Sequence, residues 1–273
     1  MDTTTLKIDN MKINKIIYAI FFLAGCCIWV ACEKKDTIPD RTTDVPATSA
    51  YIKGIHLSPD APLFNIMVDS IRALTVVETA PNVESGISFG LVVPSLASGY
   101  SISPSGTHTV SAKVPSTSAT LPGQTIVTKA ANFEQGKYYT IAIADSLNAV
   151  PASRLDAVII EDNLSIPDAS KSYFRILNFM VKGTADVEFV GPVGGSSFTR
   201  NNLAFKSVSQ FEPIDEATYK IYLRANGSAT KLDSIAAFTP LKGRKYTLYT
   251  RGVVGQTGST NTKRPLIFSI QNL

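Results

Sequence analysis

The sequence predicts an all-β protein: two tandem immunoglobulin-like β-sandwich domains behind a lipoprotein signal peptide. Three observations carry this prediction. From Ala50 onward, short apolar runs are separated by Gly, Pro, Asn and Ser, and no segment sustains a 3.6-residue period with caps. Those runs recur in the same order in the two halves of the chain. Finally, Cys26, Cys27 and Cys32 all fall within one hydrophobic N-terminal stretch, and the 241 residues after Cys32 contain no cysteine.

The N-terminal stretch comes first. Residues 16–31 are almost wholly apolar and follow Lys12 and Lys15. A basic start, an apolar middle and small residues before a cleavage point make an export signal. The run is short of the roughly 20 apolar residues that a spanning helix needs. Met11 opens the basic region and the ten residues before it are polar, so Met11 is the expected true start of a signal peptide assigned here to residues 1–31. A cysteine at the end of such a signal carries a lipid. Leu23-Ala24-Gly25-Cys26 resembles the lipobox of bacterial lipoproteins more closely by letter, but apolar residues continue beyond it. Cys32 follows Val30-Ala31 and is succeeded at once by Glu33, Lys34, Lys35 and Asp36. Cys32 is therefore the expected acceptor and Cys26 the alternative. Residues 32–49, with Pro39 and Pro46 among Thr, Asp and Ser, read as the lipidated cysteine and an extended tether.

The body follows. Tyr219, Ile221 and Leu223 alternate with Lys220, Tyr222 and Arg224, placing the first three on one face of a half-buried strand. Four blocks repeat in order. Tyr51–Leu57 matches Tyr173–Phe179, and Thr107–Lys113 matches Thr218–Arg224. Gly136–Ile141 matches Gly243–Leu248, and Ala157–Ile160 matches Leu266–Ser269. The offset shrinks along the chain, so the first copy is longer, mainly between Ile71 and Leu96. The reading is one sandwich over residues 50–164, a linker at 165–171 marked by Pro167-Asp168, and a second sandwich over 172–273. Each is expected to bury its own core and fold independently.

Composition narrows the function. Without the signal the net charge is +3, with no block of like charge, so nothing forms the basic footprint that nucleic acid requires. The single tryptophan, Trp29, lies in the signal. A disulfide framework, a zinc-thiolate site and a cysteine nucleophile are excluded from the mature body. No nucleophile elbow, phosphate loop, zincin helix or dinucleotide fingerprint is present. Gly191–Ser197 is glycine-rich, yet no helix follows that could hold a phosphate.

His56-Leu57-Ser58-Pro59-Asp60-Ala61-Pro62, followed by Asn65–Asp69, resembles the signature of a bacterial family known as domain of unknown function 4397. Phe89-Gly90, Tyr100, Gly106–Val110 and Gly136–Thr140 are similar to further pieces of that pattern. Leu57, Asn65 and Ser70 depart from it, and the second half lacks the Ser-Pro-Asp-Ala-Pro turn. The resemblance implies a secreted or surface-anchored β-sandwich and no particular activity.

The candidate site is the proline-stiffened loop, where Asp60, with Asn65 or Asp69, could offer oxygens to a cation or sugar hydroxyl. Calcium takes six or more oxygens, which this set does not supply, so the loop reads first as a structural turn and no metal or cofactor is expected. His56 and His108 read as strand-end and core-side residues rather than as a base or ligand pair. The expectation is a non-enzymatic outer-membrane lipoprotein, held to the membrane by its lipid, that binds, adheres or scaffolds at the cell envelope through a protein or glycan partner. A carbohydrate-binding role in glycan capture is the alternative, favoured by an exposed row of Tyr or Phe. An enzyme comes third. Exposure at the cell surface is left open.

Overall fold

Why the chain forms strands rather than helices is visible in its runs of β-branched and aromatic residues, punctuated every few residues by turn formers. In the computed structural model, residues 48–273 are described except 79, 81–82, 96–98 and 151. The expected signal segment, Cys26, Cys32 and nearly all of the expected tether lie outside the described residues.

The first half contains β1 (Ser49–Leu57), β2 (Asn65–Val68), β3 (Ile71–Leu74), β4 (Val92–Val93), β5 (Ser101–Pro104), β6 (Gly106–Lys113), β7 (Thr125–Phe133), β8 (Tyr138–Ala144) and β9 (Asp156–Glu161). The second contains β10 (Ser172–Asn178), β11 (Ala185–Val190), β12 (Phe198–Leu203), β13 (Ser207–Val208), β14 (Glu212–Ile214), β15 (Tyr219–Ala225), β16 (Lys231–Phe238), β17 (Lys245–Arg251) and β18 (Leu266–Gln271). No helix occurs among the described residues. The protein is all-β.

Each half is a pair of sheets, and the two halves use the same pairing scheme. In the first, β4-β1-β8-β9, with β5 also beside β1, packs on β3-β2-β6-β7. In the second, β13-β10-β17-β18, with β14 beside β10, packs on β12-β11-β15-β16. In both, the first strand runs parallel to the eighth: Ile52 is paired with Tyr139, and Phe174 with Tyr246. The extra length of the first half is the connection from residue 75 to 91, which in the second is only residues 204–206.

Between the sheets of the first half, Ile52, Phe64, Ile66, Val110, Phe133 and Ile141 form one core. Phe174, Val187, Phe189, Ile221, Leu223 and Leu248 form the corresponding core of the second. Tyr219, Ile221 and Leu223 all point inward, as their alternation predicts.

A third apolar layer lies between the halves. Ile55, Leu57, Ala142, Ala144 and Ile160 of the first half meet Leu177, Phe179 and Tyr249 of the second. The sheets that supply them are covered on both faces, and β8 and β10 are buried along nearly their whole length. Each large side chain in this layer is worth roughly 1.5–3 kcal/mol relative to exposure. The described residues accordingly belong to one compact unit. This differs from the expectation of two self-sufficient bodies on either side of a linker: a sheet that buries both faces needs both neighbours.

Candidate functional site

The turn after β1 is held by Asp60. Its carboxylate accepts hydrogen bonds from Ser146 Oγ (2.5 Å), Leu147 N (2.8 Å), Asn148 N (3.0 Å) and Ser58 Oγ (3.2 Å). Burial works to raise its pKa, but these four donors together hold it below the usual carboxylate range. Asp60 thus pins the loop between β8 and β9 to the loop after β1. The other two residues read as candidates with it point elsewhere. Asn65, at the start of β2, donates to Ser85 O (2.9 Å) and Glu84 Oε1 (3.3 Å). Asp69, just past the other end of β2, accepts from Thr109 N and meets His108 Nδ1, both at 2.9 Å. Asp60, Asn65 and Asp69 are therefore three separate loop fastenings and do not converge on one ligand.

His56 is fully buried between Phe64 and Phe89, with Nε2 3.2 Å from Pro62 O. Burial pushes its pKa down to about 4, so it is neutral at physiological pH. His108 stacks on Phe133 beside the core.

Four loops meet at the end of the molecule where Asp60 sits, and they enclose a cleft of about 620 Å³. From the first half come Pro59 and Asp60 after β1, and Ser146, Asn148, Ala149, Val150 and Arg154 between β8 and β9. From the second come Val181 and Lys182 after β10, and Val253, Gln256 and Lys263 after β17. Local backbone chemistry fixes the second pair. Val181 N donates to Gly252 O, and Val254 N returns to Val181 O. Gly252 has φ of 105°, and a Cβ there would lie 2.2 Å from Arg264 O, so only glycine fits. Lys182 itself has φ of 63°, an uncommon conformation for a side chain without local hydrogen-bonding groups. The volume is within the range of small-ligand sites. Sequence reasoning singled out Asp60 but missed Arg154, Lys182, Gln256 and Lys263, which lie in loops whose spacing carries no motif.

Charged groups also gather inside the molecule, between the two inner sheets. Arg175 is buried on β10. It donates from Nε to Thr247 Oγ1 (2.9 Å) and from Nη1 to Glu161 O (3.3 Å), and pairs through Nη2 with Asp162 Oδ1. Asp162 Oδ2 accepts from Thr140 Oγ1 and Tyr100 OH, each at 2.7 Å, and Tyr100 OH accepts from Asn272 Nδ2 at 3.0 Å. Asp162 N bonds Tyr138 O as Asn272 N bonds Lys245 O, which makes Asp162 the counterpart of Asn272 in the two halves. Lys53 occupies on β1 the place that Arg175 has on β10. It is 0% exposed, its Nζ has no hydrogen-bond partner, and it rests 4.5 Å from the centre of the Tyr100 ring. Burial lowers its pKa to about 8, with Asp162 opposing that and Arg175 adding to it.

Set beside known families, residues 50–188 match the model described as Domain of unknown function (DUF4397). That match covers half of the chain. The chain belongs to the DUF4397 family. Comparison with curated proteins gives no match.

Within this DUF4397 protein the family-like residues turn out to be joints. Phe89 and Gly90 reach the second half: Arg251 Nη1 donates to Phe89 O (3.1 Å), and its guanidinium lies 4.5 Å from the centre of the Phe89 ring. Gly90 has φ of 85°, which favours glycine, and a Cβ there would sit 2.1 Å from the Arg251 guanidinium, so a larger residue would displace that side chain from Phe89. Tyr100 is the bridge between Asp162 and Asn272. Burial, then the Asp162 charge, raise its pKa and keep its OH protonated as a donor.

Proposed function

We propose that this DUF4397 protein is a lipid-anchored protein of the bacterial cell envelope that binds a ligand without transforming it, and that the loop-end cleft is where it binds. The cleft carries the proposal: it is a concave site to which both sandwiches contribute loops, and two of those loops are fixed by the saturated carboxylate of Asp60. Its walls offer cations, amides and aliphatic groups. Ser146, the hydroxyl on that wall, is already bonded to Asp60, with no histidine between them. This favours binding over acyl or glycosyl transfer.

The anchor rests on the sequence: a short export signal, Cys32 with Cys26 as alternative acceptor, and a polar tether up to residue 49. A lipid would hold the cleft near an outer-membrane surface. The second half, which pairs its strands as the first does, is proposed as a divergent copy of the same domain.

A flat aromatic platform for glycan capture has less support. Among the described residues the exposed large apolar side chains are aliphatic, Val150, Val193 and Ile71 among them. Tyr222, on the outer face of β15, already has Lys231 Nζ 3.8 Å from its ring centre.

Two measurements test the proposal. Mass spectrometry of the mature N-terminus is expected to find acyl chains on Cys32, and Cys32→Ala is expected to leave the protein unprocessed. Incubation of the purified protein with defined oligosaccharides, followed by amide-resolved NMR, is expected to perturb the four cleft loops. Lipid-free mature protein in cells, or perturbation away from the cleft, contradicts the reading.

A further inference from the structure

We infer that the cleft selects a small ligand bearing a carboxylate, of the kind an acidic sugar unit presents, and that Lys182 and Lys263 are the groups that select it. The inference rests on the cleft being the binding site. Three cations face it, Arg154, Lys182 and Lys263, against the single carboxylate of Asp60. Asp60, held ionised, offsets one of these charges, but four donors already occupy its oxygens and it makes no direct pair with either lysine, so the wall keeps a surplus of positive charge. Arg154 is partly spoken for by Asp145, 3.4 Å away, which also takes Lys206. Lys182 and Lys263 have no ion-pair partner among the described residues. They stand on different loops of the second half and line the same cleft as Asn148 of the first, and the left-handed backbone at Lys182 is held by the bonds that flank it.

A concave wall with unneutralised like charges focuses potential for an anion. The remaining lining narrows the anion. Asn148 and Gln256 supply amide donors and acceptors, and the apolar residues are aliphatic; no lining residue is aromatic. A base or other flat ring would find nothing to stack on, whereas hydroxyls beside a carboxylate would find both hydrogen-bonding amides and ammonium groups. The volume of about 620 Å³ suits one or two sugar rings.

The test uses the full mature protein and three probes: digalacturonate, the uncharged digalactose and inorganic phosphate. Binding is read by calorimetry and by amide shifts of the cleft loops, in wild type and in a Lys182→Gln, Lys263→Gln double variant. Both lysines are exposed, so the variant is expected to melt with wild type. The expected result is digalacturonate binding that weakens about tenfold in the variant and with rising salt, with digalactose and phosphate at least tenfold weaker on wild type. If both sugars bind alike and the variant is unchanged, the carboxylate inference falls while cleft binding stands. If phosphate binds as tightly as digalacturonate, the site takes anions without selecting carboxylate, and the inference falls. If no probe perturbs the cleft loops, the inference and the binding role of the cleft both fall.

Discussion

Replacing Lys53 by methionine is expected to stabilise the protein, by an amount that shrinks as pH rises. The side chain is fully buried, its ammonium has no hydrogen-bond acceptor, and its pKa falls from 10.5 to about 8. A drop of that size corresponds to about 3 kcal/mol of destabilisation at pH 7, where both folded and unfolded Lys53 are protonated. Between pH 8 and 10.5 the unfolded chain holds the proton and the folded one does not. The unfolded state then binds more protons, so wild-type stability rises with pH across that window. At pH 9.5 the remaining penalty is about 1.5 kcal/mol. Methionine keeps the length and apolar stem but loses the cation–π contact with Tyr100, worth about 0.5–2 kcal/mol. The net gain for Lys53→Met is then about 1–2.5 kcal/mol at pH 7, declining by about 1.5 kcal/mol on going to pH 9.5. Urea denaturation of both proteins at the two pH values measures it. A variant that is less stable at pH 7, or whose difference from wild type does not change with pH, refutes the reasoning.

Arg175→Met is expected to cost about 3–5 kcal/mol, because Asp162 stays buried with only hydroxyl partners; adding Asp162→Asn to it should recover much of that loss in the same urea assay. Asp60→Ala should cost about 1–3 kcal/mol by releasing four donors, read as a lower melting temperature. Since the folded pKa of Asp60 lies below its ordinary value, its stabilisation is present above about pH 4 and is lost as pH falls through the folded pKa. Fragments 50–164 and 171–273, produced separately, are expected to expose Ile55, Leu57, Phe179 and Tyr249 and to aggregate or melt without cooperativity; two sharp independent melts would contradict the shared layer.

The fold class was legible because strand periodicity and turn residues are local signals. Tyr219, Ile221 and Leu223 show this, since an outer sheet buries one face and alternates. The layer between the halves was harder to see. In Tyr138–Ala144 and Tyr173–Asn178 the apolar character is nearly continuous, which is how a strand covered on both faces reads, but Lys53, Arg175 and Lys245 interrupt the pattern with charges that the fold buries. The Ser58–Pro62 turn was visible as a turn because proline and Asp dictate it locally. What Asp60 fastens was not, because Ser146 lies 86 positions along the chain. The cleft was least visible of all: Lys182 and Lys263 are ordinary surface lysines in sequence, and only the bonding of Val181 to residues 252–254 brings their loops together.

The loop-end cleft is proposed as the functional surface of this protein. Amide-resolved NMR of the mature protein titrated with digalacturonate tests it most directly. Shifts confined to residues 59–60, 146–154, 181–182 and 253–263 are expected. Shifts centred on the outer face of β15 around Tyr222, with the cleft loops unmoved, would contradict it.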